Sequence, residues 1–176
     1  MMHSDCQPGS KYSVETASGP IGERVAMLQH EAGKYKGANL PAAVTCLQEA
    51  AELMRQHPSN YPLDRWLCLP VVLQKAGLFD VAIAEFHRLL NEVEERVKNE
   101  APRQRPAIRQ KFAHLNYFQI YEKMSLACER QKLVNQAQQY AVLAEQHYQV
   151  FMDMSVEAGH YRSRHEHPTT DHKPSA

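Results

Sequence analysis

Residues 63–96 read LDRWLCLPVVLQKAGLFDVAIAEFHRLLNEVEER, and the periodicity within this run decides the fold. Before Gly77 the apolar set Trp66, Leu69 and Leu73 returns every three or four residues, and after it Ala82, Ile83, Phe86, Leu89, Leu90 and Val93 do the same. That interval belongs to a helix, because a half-buried strand would alternate every second residue. Gly77 separates the two stripes and permits a tight turn there. The run therefore predicts two antiparallel helices clasped at a glycine corner. The first opens after Ser59 and Asn60, with Pro62 in its first turn; the second starts at Asp80 and continues toward Glu100. The first is apolar nearly all round and needs cover on most sides. Pro70 in its interior deletes a hydrogen bond at a cost of roughly 3 kcal/mol unless the helix bends, which predicts a kink near residues 66–70.

The same period extends in both directions. A helix from Ile21 to about Lys36 carries Val25, Leu28 and Ala32, and one capped by Asn39, with Pro41 in its first turn, carries Val44, Leu47, Ala51 and Met54 until His57 and Pro58 stop it. Downstream, a helix from near Pro106 to about Gln131 presents Phe112, Leu115, Tyr121, Met124 and Cys128. Another from Leu133 to about Val156 presents Val134, Ala137, Tyr140, Ala141, Ala144, Tyr148, Phe151 and Met152. Six helices with short connections make an all-α chain, and neighbours so joined pack antiparallel. Residues 21–158 read as a single domain. Residues 1–20, rich in Ser, Gly, Pro and Thr, and residues 159–176, with His160, His165, His167 and His172, read as flexible tails.

Trp66, Leu69, Leu73, Gly77, Phe79, Asp80, Ala82, Ile83 and Phe86 stand in the order and spacing of a tetratricopeptide repeat, so residues 63–96 resemble that family. Residues 118–151 resemble it more faintly, through Tyr121, Met124, Ser125, Cys128, Ala137, Tyr140 and Ala144, and lack the turn glycine. Residues 24–57 match in their second helix through Leu40, Ala43, Val44, Leu47 and Ala50. Their first helix has Met27, His30 and Glu31 where the motif wants an aromatic, an apolar and a small residue. The resemblance implies three stacked helical hairpins with the last helices extended, and a binding scaffold without a reaction of its own. Two departures stand against a regular array. The clear unit and the one after it are offset by about 55 residues where the repeat has about 34, and Pro70 occupies a position that prefers a small residue.

In such a scaffold the first helix of each hairpin lines a concave face. The resemblance thereby nominates Asp64, Leu67, Val71, Gln74 and Lys75 from one unit and Gln119, Glu122, Leu126, Glu129 and Arg130 from the next as a groove for a protein or peptide partner. The family's carboxylate clamp of Lys, Asn and Arg is not reproduced. The same ten residues can equally pack against one another or against a second copy. A homodimer is the alternative reading, with Val93 and Val97 as an apolar seam beyond the hairpin contact.

Charge and composition exclude more than they assign. Twenty Lys and Arg balance twenty Asp and Glu, so no global field draws the chain to nucleic acid or an anionic membrane. The one basic cluster, Arg96, Lys98, Arg103, Arg105, Arg109 and Lys111, lacks interleaved aromatics and reads as a solvated connection, with Glu92–Arg96 and Glu94–Lys98 pairs leading into it. No stretch is long and apolar enough for a membrane helix, and no secretory signal pattern opens the chain, which makes the cytosol the expected compartment. Four cysteines without a C-x-x-C pair, and tail histidines without a rigid frame, give no metal or cofactor expectation. No nucleophile elbow or phosphate loop is present, and no catalytic residue is nominated.

Overall fold

The computed structural model describes residues 19–165, with side-chain surroundings through Met154. All regular structure among these residues is helical: α1 (Pro20–Tyr35), α2 (Leu40–Gln56), α3 (Leu63–Lys75), α4 (Phe79–Glu100), α5 (Pro106–Arg130) and α6 (Val134–His165). Asn39 caps α2, its side-chain oxygen accepting from the Ala42 N–H at 3.2 Å, and prolines sit in the first turns of α1, α2 and α5. α6 runs past the end at Val156 expected from the sequence, since no proline interrupts the chain before Pro168. Of the tails expected at residues 1–20 and 159–176, Pro20 opens α1 and residues 159–165 continue α6, and the parts at 1–18 and 166–176 lie outside the described residues.

Each helix packs on the next, with the most extensive contacts between α5 and α6 and between α1 and α2, and α3 additionally touches α5. α3 is thus covered by α2, α4 and α5, as its all-round apolar surface requires; Leu63, Trp66, Leu67, Leu69, Val72 and Leu73 are buried. It stays one helix through the buried Pro70, so the bond lost at the Trp66 carbonyl does not divide it. Ala82, Phe86, Leu89 and Val93 of α4 face α3 and α5 across the same core, which buries Met54 of α2 and Ile120 and Met124 of α5.

The turn at Gly77 has φ +78, with the Gly77 N–H bonded to the Gln74 carbonyl and the Leu78 N–H to Leu73. This is the Schellman closure, in which a left-handed residue lets the chain satisfy the last helical carbonyls. The turn between α5 and α6 has the same pattern, Lys132 N–H to Glu129 and Leu133 N–H to Cys128, and Lys132 takes the left-handed position at φ +60 where glycine is missing.

Three sequence expectations need correction. Val93 and Val97 are 0% and 2% exposed and belong to the chain's own core, so they form no seam for a second copy. On α5 Met124 and Cys128 are buried as expected and Leu115 and Tyr121 half-buried, but Phe112 is exposed, and Ala113, Asn116, Ile120, Ser125 and Ala127 are the further buried residues. On α6, Val134, Tyr148 and Met152 are exposed. α6 packs on α5, and that contact covers a narrow line through Ala137, Tyr140, Ala144, His147 and Phe151.

Candidate functional site

The ten nominated groove residues lie on α3 and α5, two helices that touch. Asp64 and Lys75 on α3 and Glu122, Glu129 and Arg130 on α5 are exposed, Val71, Gln119 and Leu126 are half-buried, and Leu67 is buried in the core. Gln74 is 8% exposed, and its side-chain carbonyl accepts a 2.8 Å hydrogen bond from Arg130 Nη1. Glu122 pairs with its neighbour Lys123 at 3.6 Å. Lys75 also borders a cavity of about 480 Å³ with Leu40, Pro41, Val44, Ala76 and Leu78, where the start of α2 meets the α3–α4 turn. The nominated set is therefore split: part of it is committed to joining α3 to α5, and an outer strip of charged side chains stays open.

A second arrangement, which no sequence motif announces, surrounds Trp66 at the other side of α3. Tyr61 meets the indole edge-on at 6.4 Å between ring centroids, and the guanidiniums of Arg55 from α2 and Arg96 from α4 stand 5.5 and 5.6 Å from the ring centroid. Arg55 is held by Glu85 and, at 3.2 Å, by Glu92, which also accepts from Arg88 at 3.2 Å. Arg96 has weaker company. It is 7% exposed, its nearest carboxylate oxygen is Glu100 Oε1 at 4.0 Å, and none of its three side-chain nitrogens has a hydrogen-bond partner. Trp66 Nε1, Glu92 Oε2 and Glu100 Oε1 are likewise buried without one.

Trp66, Glu92, Arg96 and Glu100 all line one cavity of about 280 Å³ between the end of α2, the start of α3 and the last turns of α4. Burial costs a charged group dearly unless it is paired and hydrogen-bonded, and the titration behaviour follows from that. Desolvation pulls the Arg96 guanidinium below its ordinary range, with Arg55 adding to the effect, and pushes the Glu100 carboxyl up to about 7 against the attraction of Arg96. Sequence did hold a signal for this site. Arg96 and Glu100 stand seven residues after Leu89 and Val93, so they fall on the apolar stripe of α4 and not on its solvated side. The pairs expected there differ as well: Arg96 is nearest Glu100 instead of Glu92, and Lys98 pairs with Glu95 at 3.5 Å instead of Glu94.

No protein-family model, curated protein or solved structure matches this chain. The remaining chemistry among the described residues is sparse. His114 and His147 meet across α5 and α6 with their Nδ1 atoms 2.9 Å apart, inside an aromatic stack with Tyr117 and Tyr121. No group of three or more His, Cys, Asp or Glu among the described residues could hold a metal ion. The tail histidines His167 and His172 lie outside those residues, and the side chains of His160 and His165 do as well. No helix among the described residues is long and apolar enough to cross a membrane.

Proposed function

We propose that this chain is a non-enzymatic, tetratricopeptide-like module of three stacked helical hairpins, needing no cofactor, that holds a protein or peptide partner along the outer strip of α3 and α5. The observation that carries the reading is the direct contact of α3 with α5 across the intervening α4, together with the Gln74–Arg130 bond between them. A repeat scaffold needs the first helices of successive hairpins side by side, because only then do their outward residues form a continuous surface. The two matching Schellman turns, at Gly77 and Lys132, support the same unit at both places. Asp64, Lys75, Gln119, Glu122 and Glu129 are the residues of the strip left to meet a partner. Their mixed charge suits an extended segment recognised by side-chain hydrogen bonds.

The test is a display selection of peptides on the purified chain, followed by titration against variants. Selected peptides should bind Glu122→Lys and Glu129→Lys at least tenfold more weakly and bind Glu145→Lys, on the exposed side of α6, as well as the parent chain. Peptides indifferent to both α5 substitutions would remove the strip from the reading. Gln74 and Arg130 are poor probes, since an acid at 74 would strengthen their mutual contact.

A further inference from the structure

The cavity beside Trp66 shares no residue with the α3–α5 strip, and its chemistry is independent of that strip. Among the described residues, the buried side-chain polar atoms lacking a hydrogen-bond partner all belong to Trp66, Glu92, Arg96 and Glu100, and these four line the same space. Buried polar groups are nearly always satisfied, so such a concentration asks for an occupant that satisfies them. At about 280 Å³ the space is just under the size of small-molecule sites, which run from about 300 to 1,000 Å³, and suits a ligand of few atoms. Met54, Pro58 and the Trp66 ring give it an apolar side.

The geometry points to a binding site for a small organic carboxylate, whose oxygens take the guanidinium fork of Arg96 and the Trp66 N–H while its carbon skeleton lies against Met54 and the indole. Donors dominate the unsatisfied set: the nitrogens of Arg96 and Trp66 Nε1 against one oxygen each of Glu92 and Glu100. A planar guanidinium with its N–H groups unused matches a carboxylate in two parallel hydrogen bonds. A cation is disfavoured, because Arg55, Arg88 and Arg96 all border the cavity and Glu92 is already held by two of them. A phosphate dianion is disfavoured by Glu92, Glu95 and Glu100 in the same wall. A single negative charge fits between these limits. With its carboxyl pushed up to about 7, Glu100 is largely protonated below neutrality and can donate to the bound anion. The charged and titratable groups around it are Arg55 of α2, Arg88, Glu92, Glu95 and Arg96 of α4, and Tyr117 of α5.

Trp66 is the only tryptophan of the chain, so its emission reports on the site directly. The purified full chain is titrated at pH 6.5 and constant ionic strength with sodium acetate, propionate and benzoate, against acetamide, inorganic sulfate and chloride. A saturable change in emission with carboxylates, absent with acetamide and at least tenfold weaker with sulfate and chloride, is expected. Arg96→Lys, which keeps the charge and loses the fork, should weaken binding at least tenfold; Glu100→Gln should keep it and extend it to pH 8. N-acetylalanine and its amide separate the sources: tighter binding of N-acetylalanine than of the free acids assigns a peptide terminus, the reverse a metabolite, and either upholds the carboxylate site. The Trp66 indole N–H resonance of the parent chain gives the same answer without any variant. No saturable response of that resonance to any carboxylate, an equal response to acetamide or chloride, or unchanged binding by a folded Arg96→Lys chain would overturn the assignment.

Discussion

Arg130 at the end of α5 donates through Nη1 to the side-chain carbonyl of Gln74 at the end of α3, 2.8 Å away, although 56 positions separate them in sequence. Gln74 is buried and Arg130 exposed, so the bond satisfies an amide that water reaches poorly, and a charged donor makes it stronger than a neutral one. Arg130→Ala should destabilise the chain by about 1 to 2 kcal/mol, and a double-mutant cycle with Gln74→Ala should recover a coupling of about 1 kcal/mol in urea unfolding. Gln74→Glu, which turns the bond into an ion pair, should leave stability equal or raised at pH 7. Additive single substitutions would mean the contact contributes nothing to holding α3 on α5.

How far the fold is legible in the sequence depends on how many sides of each helix are covered. α2, α3 and α4 lie between neighbours, and their stripes at Val44–Met54, Trp66–Leu73 and Ala82–Val97 are plain in the sequence because burial follows the apolar pattern there. α5 and α6 hold mostly to each other. Their aromatic and aliphatic residues are abundant on all sides, so apolar content does not distinguish Phe112, exposed, from Ala113, buried. The exposed residues Asp64, Lys75, Glu122, Glu129 and Arg130 are singled out in the sequence only through the repeat resemblance. The Trp66 cavity escapes sequence reasoning because a charged residue on an apolar stripe also reads as the start of a solvated basic run, when Arg96 and Glu100 are where that stripe bends a polar wall toward Trp66.

The two equivalent turns make opposite predictions. Gly77 and Lys132 each occupy the left-handed position of a Schellman closure, and a side chain at such φ costs roughly 1 kcal/mol or more. A Cβ at Gly77 would meet nothing within 4 Å, so Gly77→Ala should lose about 1 kcal/mol through backbone strain alone. Lys132→Gly should gain about 0.5 to 1 kcal/mol, because glycine relieves the strain already present. Thermal unfolding of the two variants beside the parent checks both signs, and a destabilised Lys132→Gly would show that the lysine side chain contributes more than its backbone costs.

His147, packed against His114, gives the chain an acid-side sensitivity. With Nδ1 atoms 2.9 Å apart, one ring must accept from the other, so the pair cannot carry a proton on both facing nitrogens. Burial, and then His114, pull the His147 pKa below its ordinary range. The unfolded chain therefore binds more protons than the folded one as pH falls below about 6.5, and stability present above that value is lost on acidification. His147→Phe, which keeps the stack with Tyr117 and Tyr121, should flatten the decline in unfolding free energy between pH 6.5 and 5. A variant with an unchanged slope would place the acid sensitivity elsewhere.

Glu100 acts in the opposite sense and over an overlapping range of pH. Its folded carboxyl keeps the proton up to about 7, whereas an unfolded Glu releases it near about 4.3. Between those values the folded state holds more protons, so stability falls as pH rises through the interval, and the full penalty is present above pH 7. At about 1.4 kcal/mol per pKa unit, Glu100→Gln should stabilise the chain by about 3 to 4 kcal/mol at pH 8 and by almost nothing at pH 4. The gain arises because an amide in that wall needs no deprotonation, and Arg96, whose carboxylate neighbour at 4.0 Å is lost, still has Glu92 in the same cavity. Urea unfolding of parent and variant at pH 4, 6 and 8 reads the difference directly. A pH-independent gain would point to relieved packing rather than a released proton, and a loss at pH 8 would mean that the Arg96–Glu100 attraction outweighs the desolvation of the carboxylate.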